Sequence, residues 1–109
     1  MANYLLIESR DPFEAADVPH DYDLAADLAK QEGNQVALFL VQNGVLPARK
    51  SAYSERLSQL AKDKVEVFAD GFSLRERGID SGSLTDGVQA SELDLVIDRM
   101  GDGHKTIWF

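Results

Sequence analysis

The chain reads as an α/β domain of three layers, a mostly parallel sheet of about five strands between helices. Three observations predict this. Short apolar runs without polar alternation, YLLI at residues 4–7 and VALFLV at 36–41, suit central strands covered on both faces. Stretches with helical spacing separate these runs from VEVFA (65–69) and KTIWF (105–109). Strand and helix then alternate along the whole chain, which implies right-handed crossovers and parallel neighbours.

Each element follows from local chemistry. After the first strand, Pro12 and Pro19 break up ESRDPFEAADVPH, so the first helix is predicted to start near Asp21. Its inward stripe is Leu24, Ala25, Leu28 and Ala29, and Gly33-Asn34 stops it. The strand at 36–41 runs into a turn at Gln42-Asn43-Gly44-Val45. A second helix is expected from Ser51 to about Lys62, burying Tyr53, Leu57, Leu60 and Ala61. The third strand, 65–69, passes into a short helix near Ser73–Arg77 that ends at Gly78. Residues 79–90 fit a short strand or an ordered loop equally. Ser91 is the expected N-cap of a last helix, with Asp94 in capping-box position and Leu93, Val96, Ile97 and Met100 as its apolar stripe. Trp108 in the closing strand is expected to pack in the core.

With 109 residues, the chain is read as a single domain, residues 1–109, with room for one core. The N-terminus MANYLLIESRDP has no basic leader or small-residue cleavage pattern, and the protein is read as mature and cytoplasmic. No apolar stretch is long enough to span a membrane, so no membrane partner is expected. The formal charge of -8 argues against a nucleic-acid partner, whose backbone must be neutralised. The charge is unevenly spread, with a net of -6 between Glu8 and Glu32 and +3 between Arg49 and Lys64. These segments read as solvated surface or as complementary patches that orient a partner.

In such a sheet, ligands collect beyond the carboxyl ends of the strands. Those ends supply the candidate pocket or interface residues Ser9, Asp11, Gln42, Asn43, Gly44, Asp70 and Ser73, and the two arginines around Glu76 before Gly78 add Arg75 and Arg77. The chain has no cysteine, which excludes disulfides, thiolate nucleophiles and thiolate metal ligands. His20 and His104 lie at spacings unrelated to Ser9 or Ser73, so both read as solvated rather than as members of a triad. Glu8, Asp11 and Asp70 could offer oxygen ligands, but no adjacent acid pair follows the first strand, and neither metal nor cofactor is expected. No phosphate-cradling glycine motif is present. Asp70 reads first as a cap for the helix that follows it. Arg75 and Arg77 read as an anion clamp, as solvated side chains, or as partners for acids of the Asp11–Asp27 segment in a neighbouring subunit.

Three stretches in order resemble the DsrE-like family, small α/β proteins of intracellular sulfur transfer. They are Ser-Arg-Asp-Pro at 9–12, Phe-Leu-x-Gln-Asn-Gly-Val at 39–45, and Leu-Arg-Glu-Arg-Gly-Ile at 74–79, and the likeness covers nearly the whole chain. The resemblance implies that sulfur-carrying members place a cysteine eight residues before the Arg-Gly glycine, a position held here by Asp70. The second cysteine of some relatives, five residues before that glycine, corresponds to Ser73. Neither side chain can hold a persulfide. The resemblance therefore implies a non-enzymatic accessory or structural subunit of a sulfur-relay type complex, forming homo- or hetero-oligomers with DsrE-like subunits. The alternative is a small-molecule or anion binder using Asp70, Ser73 and Arg77 at the strand ends. A cysteine-free enzyme lacks a convincing acid–base pair.

Overall fold

The computed structural model describes residues 2–109. Its strands are β1 (Asn3–Glu8), β2 (Gln35–Leu40), β3 (Val65–Asp70), β4 (Val88–Ser91) and β5 (Lys105–Trp108). They form one five-stranded sheet in the order β4-β3-β2-β1-β5. Every neighbouring pair is parallel. The helices are α1 (Val18–Lys30), α2 (Ser54–Lys62), α3 (Gly71–Glu76) and α4 (Asp94–Gly101), with 3₁₀ turns at Gln42–Ala48 and Ser81–Ser83. The layered parallel α/β fold expected from the strand pattern is the fold observed.

The two sheet faces differ in cover. On one, Leu6, Leu38, Val67 and Val88 pack against Val18, Tyr22 and Ala25 of α1, Leu57 and Leu60 of α2, and Leu74 of α3. On the other, Leu5, Ile7, Ala37 and Phe39 meet α4 through Val96, with Leu95 and Phe68 at the margin. Arg99 pins this helix by pairing with Glu66 at 2.7 Å and lying over the Phe68 ring.

Several boundaries and orientations depart from the sequence reading. α1 begins at Val18 rather than Asp21, because Pro19 sits in the first turn, where no intrahelical N–H bond is lost. Its inward face is Val18, Tyr22, Ala25, Ala26 and Ala29, and Leu24 faces solvent. β2 ends at Leu40 and α2 starts only at Ser54. Tyr53 precedes α2 half-buried, edge-on to Phe13 at 4.9 Å. Of residues 79–90, the strand alternative holds from Val88 onward. That strand absorbs the expected N-cap: Ser91 pairs with Asp70 in the ladder, and α4 starts at Asp94 without a side-chain cap.

The expected burial of the α4 stripe is also corrected. Only Val96 is buried, whereas Leu93, Ile97 and Met100 are 52, 62 and 53 % exposed. Trp108 is 64 % exposed rather than in the core. Its register opposite Ile7 places it on the α4 side of an outermost strand, where no helix covers it. His104, expected in solvent, is half-buried, because its backbone N–H bonds the Arg99 carbonyl and holds the turn to the end of α4; both ring nitrogens are enclosed without a partner.

Leu38 lies at the centre of β2 with no exposure. Leu38→Asp places an unpaired charge there, a cost of several kcal/mol. Loss of the cooperative thermal transition by circular dichroism is expected, and an unchanged midpoint would refute a doubly covered β2.

Candidate functional site

The carboxyl ends of β2 and β3 lie side by side, and the chain leaves each by a sharp turn. At the end of β2 the backbone turns through Gln42, whose φ of 55° is left-handed, a conformation costly for a side chain with a Cβ. At the end of β3, Asp70 is extended and α3 begins at the next residue. Its Oδ2 accepts from the Ser73 backbone N–H at 3.0 Å and from the Ser73 hydroxyl at 2.7 Å. The same hydroxyl oxygen accepts the Gln42 N–H at 2.8 Å. Asp70 and Ser73 are 5 and 3 % exposed, so the Asp70–Ser73 bonds are buried, while Gln42 at the other end of the chain of bonds is exposed. Together these bonds hold a strained turn of one strand to the helix cap of the next.

Arg77 adds a second tie between the same elements. Nε and Nη2 donate to Asn43 Oδ1 at 3.0 and 2.8 Å, and Nη1 donates to the Ser73 carbonyl at 3.2 Å. Arg75 turns away to pair with Glu92 at 3.0 Å. The two guanidiniums therefore do not converge on a shared anion. Above the cap is a recess of about 460 Å³ bordered by Gln42, Phe72, Ser73, Arg77 and Leu93. Phe72 is 61 % exposed, so the rim is apolar on one side and polar on the other.

Of the nine candidate residues, the structure brings together Gln42, Asn43, Asp70, Ser73 and Arg77. The other four stand apart. Ser9 donates to the Phe109 carbonyl at 2.9 Å, and Asp11 accepts from the Phe13 N–H at 3.0 Å within its own loop. Gly44 is buried, and a Cβ on it would overlap the Glu8 carbonyl oxygen. Arg75 lies at the Glu92 side. The acidic and basic segments meet within the molecule, where Arg56 of α2 pairs with Asp23 of α1 at 2.8 Å.

Neither Phe72 nor Leu93 at the rim was a candidate pocket residue in the sequence reading: Phe72 read as apolar bulk that would favour a contact surface if uncovered, and Leu93 as part of the stripe of the last helix. At the end of β1, Glu8 has no exposure and its Oε1 has no partner. Burial and neighbouring Asp21 push its carboxyl up to about 7, against the opposing pull of Arg10. A lone glutamate ending an otherwise apolar central strand was the signal for it. Among the described residues, no group of three or more His, Cys, Asp or Glu side chains is placed to hold a metal.

The sequence profile of the DsrE/DsrF-like family matches residues 3–109. The fold is similar to that of MTH1491, titled a protein of unknown function, from Methanobacterium thermoautotrophicum, with a TM-score of 0.85, 24 % identity and full coverage of both chains. It is similar to the ychN protein of E. coli, with a TM-score of 0.88, 21 % identity and full coverage of both. BT1422 of Bacteroides thetaiotaomicron, titled a conserved protein of unknown function, matches with a TM-score of 0.80 and 11 % identity over 98 % of this chain and 94 % of its own. At these identities the likeness is one of fold. Among curated proteins, none matches. The chain belongs to the DsrE/DsrF-like family and is a member without cysteine.

The hydrogen bonds at the strand ends make a measurable claim. Ser73→Ala removes the acceptor of the Gln42 N–H and one donor to Asp70, at a cost of about 1 kcal/mol or more. Asp70→Ala removes the cap of α3 and should cost about 1–2 kcal/mol. Urea denaturation of each variant checks both values, and two variants as stable as the parent would show that the network carries no load.

Proposed function

We propose that this DsrE/DsrF-like chain is a non-catalytic accessory subunit of a cytoplasmic sulfur-relay type assembly, docking against subunits that carry the reactive cysteine. The observation that carries the proposal is Asp70. At the position where the resemblance places the sulfur carrier stands a buried side chain whose Oδ2 is already engaged by two donors of Ser73. No sulfur atom is available there, and a hydroxyl or carboxyl group offers no route to a persulfide. The site has become part of the scaffold.

Support for docking comes from the surface. Phe72, Leu93, Ile97, Met100 and Trp108 are all more than half exposed, and all lie at α3, α4 or β5. Uncovered apolar side chains in such number favour a contact surface. Asp94, Asp98 and Asp102 form an exposed acidic row along α4, and none of them pairs with a cation among the described residues. A two-fold contact through α4 sets like rows against each other. A head-to-tail contact brings the row to exposed Lys50, Lys62 and Lys64 of a second DsrE-like subunit, which favours orientation and ring closure.

The anion-binding alternative gains less, because Arg75 and Arg77 are each committed to other groups.

Two measurements test the proposal. Incubation with a persulfidated donor followed by intact-mass spectrometry is expected to show no gain of about 32 Da, and a stoichiometric adduct of that mass would overturn the non-carrier role. Sedimentation up to about 100 μM at physiological salt is expected to show association that Ile97→Asp weakens. A mass held at 12.0 kDa would rule out self-assembly and leave only a different subunit as partner.

A further inference from the structure

At the other end of the same sheet edge, the carboxyl end of β1, a buried acid is gathered with more carboxyl groups than cations. Glu8 Oε2 accepts the Arg10 backbone N–H at 3.1 Å and lies 3.6 Å from Arg10 Nε. The Arg10 guanidinium also donates through Nη1 to both oxygens of Asp17, at 3.0 and 2.9 Å, and through Nη2 to Asp21 at 3.1 Å. One guanidinium thus serves three carboxyl groups, and it lies over the one that water does not reach. Glu8 Oε1 is left without a donor.

We propose that Glu8, Arg10 and Asp21 form a proton-dependent clasp. It holds the segment between β1 and α1 against the sheet while Glu8 is protonated and releases it when Glu8 ionises. Three ionised carboxyl groups around one guanidinium leave excess negative charge, and the buried member gains most from a proton. A proton on Oε1 gives that atom a hydrogen bond to donate toward Asp21. Ionisation puts two like charges face to face instead.

The groups facing Glu8 and those one step further out fit this assignment. Arg10 of the connecting segment and Asp21 and Tyr22 of α1 face Glu8 itself. Asp17 and His20 lie beyond Arg10, Asp11 and Tyr53 lie beside Tyr22, and the 3₁₀ turn Gln42–Ala48 contributes no charge. The Tyr22 hydroxyl is buried without a partner, and burial together with the nearby acids pushes its phenol up, so it stays neutral. Burial and the neighbouring Asp21 carboxyl push the Glu8 carboxyl up to about 7. A carboxyl raised above its unfolded value of 4.5 favours the closed state at low pH and loses that preference as pH rises through about 7.

The clasp also reaches the recess. The Glu8 carbonyl accepts the Val41 N–H at 3.0 Å and is the surface on which Gly44 rests. Between those two residues lies Gln42, whose N–H is held by Ser73. Movement of Glu8 is transmitted to the turn that borders the recess. This holds whether or not the protein serves as an accessory subunit.

Carboxyl-detected ¹³C NMR of the intact protein tests the clasp, read alongside amide hydrogen exchange corrected for the intrinsic pH effect. The Glu8 carboxyl is expected to titrate near 7 rather than 4.5. Opening at the Ala15, Val18 and Val41 amides should rise about tenfold between about pH 5.5 and pH 8.5. Glu8→Gln should abolish that rise, and Arg10→Gln should move the Glu8 midpoint higher, a shift that loss of packing alone does not produce. A Glu8 midpoint near 4.5, protection independent of pH, or the same rise in Glu8→Gln would each overturn the proposal. If Glu8→Gln fails to fold, the parent titration and the Arg10→Gln midpoint still decide.

Discussion

A parallel sheet has to be covered on both faces, because its central strands carry apolar side chains to each. Here the cover is unequal. α1, α2 and α3 lie on one face, and the other has only the short α4, held down by Val96, Leu95 and the Arg99 contacts. Much else follows from that shortage. The outermost strand keeps Trp108 in water, and the outer side of α4 carries apolar residues with nothing against them.

The carboxyl ends of the strands are tied together by polar contacts. Three neighbouring elements converge there, with Gln42 in a costly backbone conformation. In an enzyme such strain is tied to chemistry. In this chain it is offset by Ser73 and Arg77, which fasten the turn to α3. The polar groups at these strand ends satisfy one another.

The sequence was most legible where one physical rule decided the outcome. Uninterrupted apolar runs identified β1 and β2, and Asp70 before a short helix was readable as its cap. The misreadings share a cause. Helical spacing of Leu93, Val96, Ile97 and Met100 reveals an apolar stripe but not whether the same chain covers it, so three of the four are exposed. Trp108 was misplaced for the same reason, since hydrophobicity carries no information about a strand's position in the sheet. Ser91 carried a capping pattern that the ladder with β3 overrode. Among the candidate residues, strand ends located seven and the paired arginines of the following turn the other two, but only three-dimensional placement separates Asp70, Ser73, Gln42, Asn43 and Arg77 from Ser9, Asp11, Gly44 and Arg75. Glu8 was visible as the last residue of β1, yet its isolation from water depends on how Arg10 folds over it.

The double engagement of Asp70 has a consequence for what can replace it. A thiol placed at 70 is a weak acceptor, so it would leave the Ser73 amide and hydroxyl, and behind them the Gln42 turn, poorly held. Installing a thiol by that single replacement would begin with a loss of about 1–3 kcal/mol, a large share of what a small domain has in reserve. Because its neighbours depend on the Asp70 oxygen, a thiol at that position calls for changes at Ser73 and Gln42 as well, and a single step does not suffice.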